Sequence, residues 1–272
     1  MTLSELGAVG ENMKPFWVGI PEEQVYTGAA IKPSLRVYCG VALLTEKKDY
    51  SVSFKNNKNA GTASATVKFK GYYKKQPLLK ADFRIRPAEI GYETELYPLP
   101  LGVRYTQKAQ QPKPLLLRMD TGETIPFNKK DFTITYYNAE GEEVSSVREA
   151  GSYWMHISAT PGSKNYRGSC YQNLTVAEKD LAEKLKVKIK TPKFRFDGSY
   201  VFPVYGKDFT IVLPKGYDPV AAEAEASGNN SLTQLDIEYV HNRAPGKMAM
   251  LINGKDGSSY SGTKLVYFTI TK

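Results

Sequence analysis

The sequence has few of the residues that most often build reactive sites. Its 272 residues include 2 cysteines, 2 tryptophans and 2 histidines. Two histidines leave few starting points for a histidine metal site or a Ser-His-Asp arrangement. Two cysteines, Cys39 and Cys170, cannot form the framework of disulfides that stabilises small secreted domains, so we expect both to be free, buried thiols.

Long apolar runs are missing as well. None approaches the roughly 20 residues that a helix needs to cross a bilayer, so no membrane insertion is predicted. Residues 1–17 lack the basic start and apolar stretch of a signal peptide, and we expect any export signal to have been removed. The chain is nevertheless 41% hydrophobic and 12% aromatic, which is typical of a folded protein and argues against disorder.

What the sequence does contain is a series of landmarks that recurs three times in one order. The first landmark is an aromatic turn that leads to a proline, and the second is Lys-Asp-aromatic followed by Ser or Thr and a β-branched residue. The third is a glycine that begins a strand in which apolar and polar residues alternate. The fourth is the closing strand of the repeat. The first two landmarks lie at 25–33 and 48–54, at 104–112 and 130–136, and at 195–203 and 207–213. A spacing of about 90 residues between closing strands is that of one β-sandwich domain.

The local pattern in each copy is that of strands and hairpins. Tyr50, Val52 and Phe54 alternate with serines, which is typical of a half-buried strand, and the asparagine-rich turn at 56–61 suits a hairpin. The sequence predicts an all-β chain of three tandem Ig-like antiparallel β-sandwich domains at 13–88, 89–180 and 181–272, after a leader at 1–12. Residues 218–228 predict a short helical insert in the third domain, with Asp218 as N-cap followed by Pro219.

The first copy resembles a bacterial Ig-like repeat that is common in large surface proteins of Gram-positive gut bacteria. Residues 26–33 and 49–63 match the Y-T-G-x-A-I-K-P and D-Y-x-V-S-F-x-N-N-x-N-A-G-T-A segments of that repeat closely. Residues 71–75 keep the tyrosine of its G-x-Y-x-G turn and lack the final glycine, and copies two and three depart further. The resemblance implies a sandwich fold within a stalk or adhesion module, and it transfers no catalytic residue.

No arrangement of residues predicts catalysis, a metal or a cofactor. His156 shares a strand face with Trp154, and His241 lies in a loop, so both are interpreted as structural or solvated. Cys170 would be a nucleophile only with a base such as His156 beside it. A phosphate-binding glycine loop is absent from the sequence. Asp236 and Glu238 share one face of a strand, and two carboxylates fall short of the six to eight oxygens that calcium takes.

Positive charge is concentrated in the first predicted domain. The chain has a net charge of +9, and residues 13–88 contain 14 basic and 5 acidic side chains. Some of the surplus forms a candidate basic contact patch, which consists of Lys68, Lys70, Tyr72, Tyr73, Lys74 and Lys75. Such a patch favours an acidic polymer, such as teichoic acid or a sialylated glycan, or an acidic protein surface. Nucleic acid is the weaker alternative.

These observations predict a protein that is not an enzyme. We expect a tandem Ig-like module of a bacterial cell-surface protein that acts as a stalk and binds a host or cell-wall glycan or a protein. It would lie at the cell surface among the neighbouring domains of a larger exported protein. The alternative is a structural decoration or fibre protein of a tailed-phage virion, packed against other virion subunits.

Overall fold

The computed structural model describes residues 2–6, 16–21, 23–92, 94–177, 182–212, 235–255 and 260–272. Their regular structure is almost entirely β, which confirms the predicted all-β sandwich class. Helix is limited there to two single 3-10 turns, Gly71–Tyr73 and Ala182–Lys184. The predicted helical insert at 218–228 lies outside the described residues, as do the domain limits at 12 and 180.

The strands fall into three successive stretches of chain. The first stretch contains β1 (Thr2–Leu6), β2 (Phe16–Ile20), β3 (Glu23–Val25), β4 (Arg36–Cys39), β5 (Ala42–Leu43), β6 (Tyr50–Lys55), β7 (Gly61–Phe69) and β8 (Leu79–Arg86). The second contains β9 (Ala88–Ile90), β10 (Leu96–Pro98), β11 (Leu101–Arg104), β12 (Leu115–Arg118), β13 (Thr124–Pro126), β14 (Phe132–Tyr137), β15 (Glu143–Val144), β16 (Gly151–Ala159) and β17 (Tyr166–Ala177). The third contains β18 (Lys186–Ile189), β19 (Lys193–Arg195), β20 (Phe209–Val212), β21 (Leu235–Val240), β22 (Gly246–Gly254) and β23 (Thr263–Thr271).

The chain divides into two compact units. The first comprises Met1–Ala88 with Pro161–Arg167. Its two four-stranded sheets have the orders β1-β2-β4-β5 and β3-β8-β7-β6. Alternate residues of the strands meet in one apolar core, where Val18, Val37, Ala65 and Val67 are at most 1% exposed. The period-2 alternation of the sequence therefore separates a buried face from a solvated face, as expected for a sandwich.

The second unit comprises Glu89–Thr160 with Gly168–Lys272. It contains the large sheet β13-β12-β10-β9-β17-β16-β14-β15, with β11 beside β17, and the sheets β18-β20 and β19-β23-β22-β21. Residues of the second and third repeats bury one another in this unit. Leu99 and Leu117 from the second repeat pack with Val240, Ala249 and Leu251 from the third. This packing joins the two repeats through apolar contact as well as through the chain.

The internal repeat has a structural counterpart in a recurring parallel strand pair. β3 pairs with β8, β11 with β17, and β19 with β23, so the strand before each aromatic turn runs beside the closing strand of the same repeat. In each repeat the aromatic residue that follows donates its backbone amide to the end of the closing strand. The pairs are Tyr26 with Arg86 at 2.9 Å, Tyr105 with Ala177 at 2.8 Å, and Phe196 with Thr271 at 2.9 Å.

The segment before each landmark proline is anchored in the same way. Its backbone amide donates to the carbonyl of a turn, and the pairs are Ile31 with Asn57 at 2.7 Å, Gln110 with Val147 at 2.8 Å, and Val201 with Asn242 at 2.7 Å. The prolines then act as acceptors in the second and third repeats. The Tyr136 hydroxyl donates to the Pro112 carbonyl, and the Tyr239 hydroxyl to the Pro203 carbonyl, each at 2.7 Å.

One sequence match is wrong. Residues 207–213 match 48–54 by letter, and Phe209 begins β20, which pairs with β18. Tyr50 instead begins β6, which pairs with the glycine-initiated strand β7. The strand equivalent to β6 in the third repeat is β21, because it pairs with the glycine-initiated β22. The two sequences are similar because the same local turn precedes β6 and β20. The residues of a turn do not determine with which strand the following strand pairs.

Candidate functional site

The outward face of β14, β16 and β17 bears a group of aromatic side chains. Tyr137 on β14 lies opposite Trp154 on β16, and His156 on β16 lies opposite Tyr171 on β17. Residues that face one another across neighbouring strands project to the same side of the sheet, so these four rings share one face. We call Tyr137, Trp154, His156 and Tyr171 the aromatic platform.

The opposite face of the same strands supplies the hydrophobic core. Met155 and Ile157 on β16 are fully buried, and Cys170 and Leu174 on β17 are at most 5% exposed. The core of this sheet is therefore complete without the platform. Its rings remain at the surface, where Trp154 is 44% and Tyr171 is 49% exposed. A cluster of large exposed rings is a common sign of a binding surface.

The platform rings hold one another in place. The His156 ring stacks on the Tyr171 ring, with centroids 4.5 Å apart and planes 24° apart. The Tyr137 and Tyr171 centroids are 5.9 Å apart. Tyr137, Trp154 and Tyr171 line a depression of about 400 Å³ together with Gly141, which has no side chain to obstruct it. The result is a shallow apolar surface made of rings on rigid strands.

Polar groups surround the rings. Asn173 lies beside Trp154 across the β16-β17 pair, and Thr135 lies beside His156 across the β14-β16 pair. The hydroxyls of Thr133 and Ser158 are 2.6 Å apart further along the same face. Hydrogen-bonding groups around apolar rings suit a ligand that is both apolar and rich in hydroxyls.

The platform tyrosine on β14 is neutral at ordinary pH. Burial raises the pKa of Tyr137 above its usual value, and the nearby Tyr171 and Glu143 raise the pKa further. The ring therefore keeps its hydroxyl proton and remains a hydrogen-bond donor.

The structure separates the thiol from the histidine that would activate it. Cys170 lies opposite Ile157 on the buried face, whereas His156 lies opposite Tyr171 on the exposed face. Burial raises the pKa of the Cys170 thiol, and a hydrogen bond from Tyr92 lowers the pKa by a smaller amount. The two side chains point to opposite sides of the sheet, so they do not form a nucleophile and base pair.

The remaining candidates from the sequence make structural contacts. The Nδ1 atom of His241 lies 2.9 Å from the Lys247 carbonyl oxygen. Asp236 forms an ion pair with Lys255 at 3.6 Å, and Glu238 accepts a hydrogen bond from Asn253 at 3.3 Å. Within the described parts of the chain, no three His, Cys, Asp or Glu residues are grouped to hold a metal ion. Those parts also contain no helix with the length and apolar character to cross a membrane.

The six residues of the predicted basic patch lie at the end of β7 and at the 3-10 turn that follows it in the first unit. Lys68 is on the outer face of β7, and the other five lie at or beside the 3-10 turn that follows. Tyr72 is 84% exposed. Tyr73 packs edge-on against Phe16, with centroids 5.8 Å apart. The structure therefore leaves Tyr72 as the openly exposed ring of the patch.

The sequence contains a signal for the aromatic platform, which was not among the predicted sites. In 153–157, Trp154 and His156 alternate with Met155 and Ile157, and only the second pair is buried. Tyr171 alternates with Cys170 in the same way. A strand with aliphatic residues on one face and rings on the other has two apolar faces, and the sandwich core takes only one of them.

Comparison with known proteins identifies no family for this chain. No protein-family model and no curated protein matches the chain. A Bacteroides ovatus SGBP-B from a mixed-linkage glucan utilization locus, in complex with a mixed-linkage heptasaccharide, is 10% identical over 100% of this chain and 70% of its own, with a TM-score of 0.18. PcdhgB3 EC1-4 is 10% identical over 91% of this chain and 73% of its own, with a TM-score of 0.14. TM-scores this low establish no shared fold.

Proposed function

We propose that this protein is a non-enzymatic carbohydrate-binding module of a bacterial cell-surface protein, and that it binds neutral glycan on the aromatic platform. The observation that carries the proposal is the exposure of Trp154 and Tyr171 on a sheet whose other face already forms the core. The repeated sandwiches provide a stalk that presents this surface. Ig-like repeats of the kind that the first copy resembles serve as such stalks.

The chemistry of a sugar ring suits the platform. One face of a pyranose consists mainly of C–H groups, which are apolar and slightly positive, whereas the face of an aromatic ring is slightly negative. A sugar stacked on Trp154 or Tyr171 would bury apolar surface on both partners. Its equatorial hydroxyls would point outward, toward Asn173 and Thr135 at the edge of the platform. Rigid rings also lose little conformational entropy on binding.

The two tryptophans of the chain allow a direct binding assay. Trp17 is in the first unit and Trp154 is on the platform, so Trp17→Phe leaves the platform ring as the sole tryptophan fluorophore. Titration with soluble neutral polysaccharides (β-glucan, xylan, mannan and dextran) should shift the emission of Trp154 for at least one of them. Affinity gel electrophoresis with the same polysaccharides should retard the unmodified protein.

Matched variants distinguish the platform from other exposed rings. Tyr171→Ala should weaken binding about tenfold or more, because central aromatic residues carry most of the energy of an interface. Tyr200→Ala is the control, since Tyr200 in the third repeat is also exposed, at 57%. Equal losses for the two variants, or no binding to any of the four polysaccharides, would overturn the proposal. Release of shorter chains from the bound polysaccharide would contradict the non-enzymatic role.

A further inference from the structure

The outer face of the sheet β3-β8-β7-β6 differs in kind from the aromatic platform. Five small hydroxyl residues lie on this face together with Lys68 and Lys80, and they are Ser51, Ser53, Thr62, Ser64 and Thr66. The residues that alternate with Thr66 and Lys68 on β7, such as Ala65 and Val67, point to the other face and are buried in the core. The face is therefore flat, polar and turned away from the interior.

The two lysines lie close together on this face. Lys68 is opposite Ser51 on β6, and Lys80 is opposite Thr66 on β8. Thr66 and Lys68 are two residues apart on β7, so Lys68 on β7 and Lys80 on β8 are diagonal neighbours across the strand pair. The Cα atoms of such neighbours are about 7–8 Å apart. Both are exposed, and neither forms an ion pair with any residue that the structure describes.

Basic residues outnumber acidic residues on this face, where Lys55, Lys68, Lys80, Arg84 and Arg86 lie with Glu23 and Asp82. Glu23 is already paired, with Arg84 at 3.9 Å and Arg86 at 3.6 Å. Asp82 lies opposite Ser64 and two residues from Lys80 on the same face, and no ion pair joins the two side chains. The ammonium groups of Lys68 and Lys80 are thus available to an anionic partner.

We propose that Lys68 and Lys80, with the hydroxyls of Ser51, Ser53 and Thr66, bind an acidic polysaccharide. The ammonium groups contact its carboxylate or sulfate groups, and the serine and threonine hydroxyls exchange hydrogen bonds with the sugar hydroxyls. A flat face of short side chains accepts an extended sugar chain without a cleft. The face as described offers no aromatic ring for base stacking, which argues against single-stranded nucleic acid.

The basic patch predicted from the sequence supplies a matched control. Lys68→Gln with Lys80→Gln removes two charges from the sheet face, and Lys74→Gln with Lys75→Gln removes two charges from the neighbouring turn. All four side chains are exposed, so both double variants should fold. Binding to dextran sulfate and to alginate is measured for each by calorimetry at low and high salt, with neutral dextran as the uncharged reference.

The proposal predicts a loss of about tenfold in affinity for the sheet-face variant and much less for the turn variant, and weaker binding of both polymers at high salt. Binding to either polymer supports it, and the tighter one identifies the acidic group. Trp154→Ala should leave this affinity unchanged, because the site is independent of the platform. Equal losses for the two double variants, equal binding of neutral dextran by the Trp154→Ala variant, or equal binding of single-stranded DNA would overturn it.

Discussion

The side-chain oxygen Oδ2 of Asp208 accepts a hydrogen bond from the backbone amide of Val204 at 2.8 Å. Asp49 does the same for the amide of Thr45, also at 2.8 Å. In both turns the aspartate amide donates back to the carbonyl of the same partner. The aromatic residue that follows, Phe209 or Tyr50, is then buried at the start of a strand. In the first and third repeats the Lys-Asp-aromatic sequence therefore forms a turn that places an aromatic ring in the core.

Removing this carboxylate should destabilise the third repeat. Asp208 is 5% exposed, and Asp208→Ala leaves the Val204 amide without its acceptor, which should cost about 1–2 kcal/mol of unfolding free energy. Urea denaturation measures the loss. Asp208→Asn keeps an acceptor oxygen and should recover most of the stability. Equal losses for Ala and Asn would show that the charge matters rather than the hydrogen bond.

The tyrosine that anchors the second proline should make stability depend on alkaline pH. Burial raises the pKa of Tyr136 to about 12, from an ordinary value of 10.0. The unfolded chain therefore loses this proton more readily than the folded chain, and the unfolding free energy should fall as pH rises from 10 toward 12. Below that window both states keep the proton, and the group adds no pH dependence.

Tyr136→Phe tests this effect. The variant loses the hydrogen bond to Pro112 and should be less stable at neutral pH by about 1 kcal/mol. It should also lose part of the alkaline decline in urea denaturation midpoints that the unmodified protein shows. Tyr239→Phe removes the equivalent bond to Pro203 and gives the stability cost of that bond in the third repeat. An alkaline decline of the same size in Tyr136→Phe would contradict the assignment to Tyr136.

The contact between the second and third repeats should tolerate no added side chain at Gly102. A Cβ there would lie 2.7 Å from the Ser261 carbonyl oxygen, so backbone would have to move. We expect Gly102→Ala to cost about 1–3 kcal/mol in thermal or urea unfolding, as overpacking usually does. Gly91→Ala is the matched control, because its Cβ would meet only the Thr94 side chain, at 3.2 Å. A smaller loss for Gly102 than for Gly91 would contradict the close packing.

Short-range chemistry was the part of this structure that the sequence could predict. The alternation in 50–54 and the glycine that begins β7 have direct counterparts in strands and turns. The recurring proline landmark also corresponds to one backbone arrangement in all three repeats. Each of these features is determined by residues near one another in the chain, where pattern and propensity act directly.

The local sequence pattern could not predict which strands pair with one another. The turn at Asp208 has the same letters as the turn at Asp49, and only the partner strand distinguishes β20 from β6. The aromatic platform depends on the same kind of information. Tyr137, Trp154 and Tyr171 lie on three different strands, and the register of strand pairing places their rings next to one another. The predicted basic patch consists of sequence neighbours, so it does not include Lys80, which is brought near Lys68 by the pairing of β7 with β8.

The parallel pairs β3-β8, β11-β17 and β19-β23 have a mechanical consequence. In each repeat an early strand and the last strand run side by side in the same direction. Tension applied to the two ends of such a repeat pulls these strands past each other lengthwise, so their hydrogen bonds are loaded together and not peeled apart one after another. Each repeat is therefore expected to resist stretching most strongly when the pull runs along these two strands.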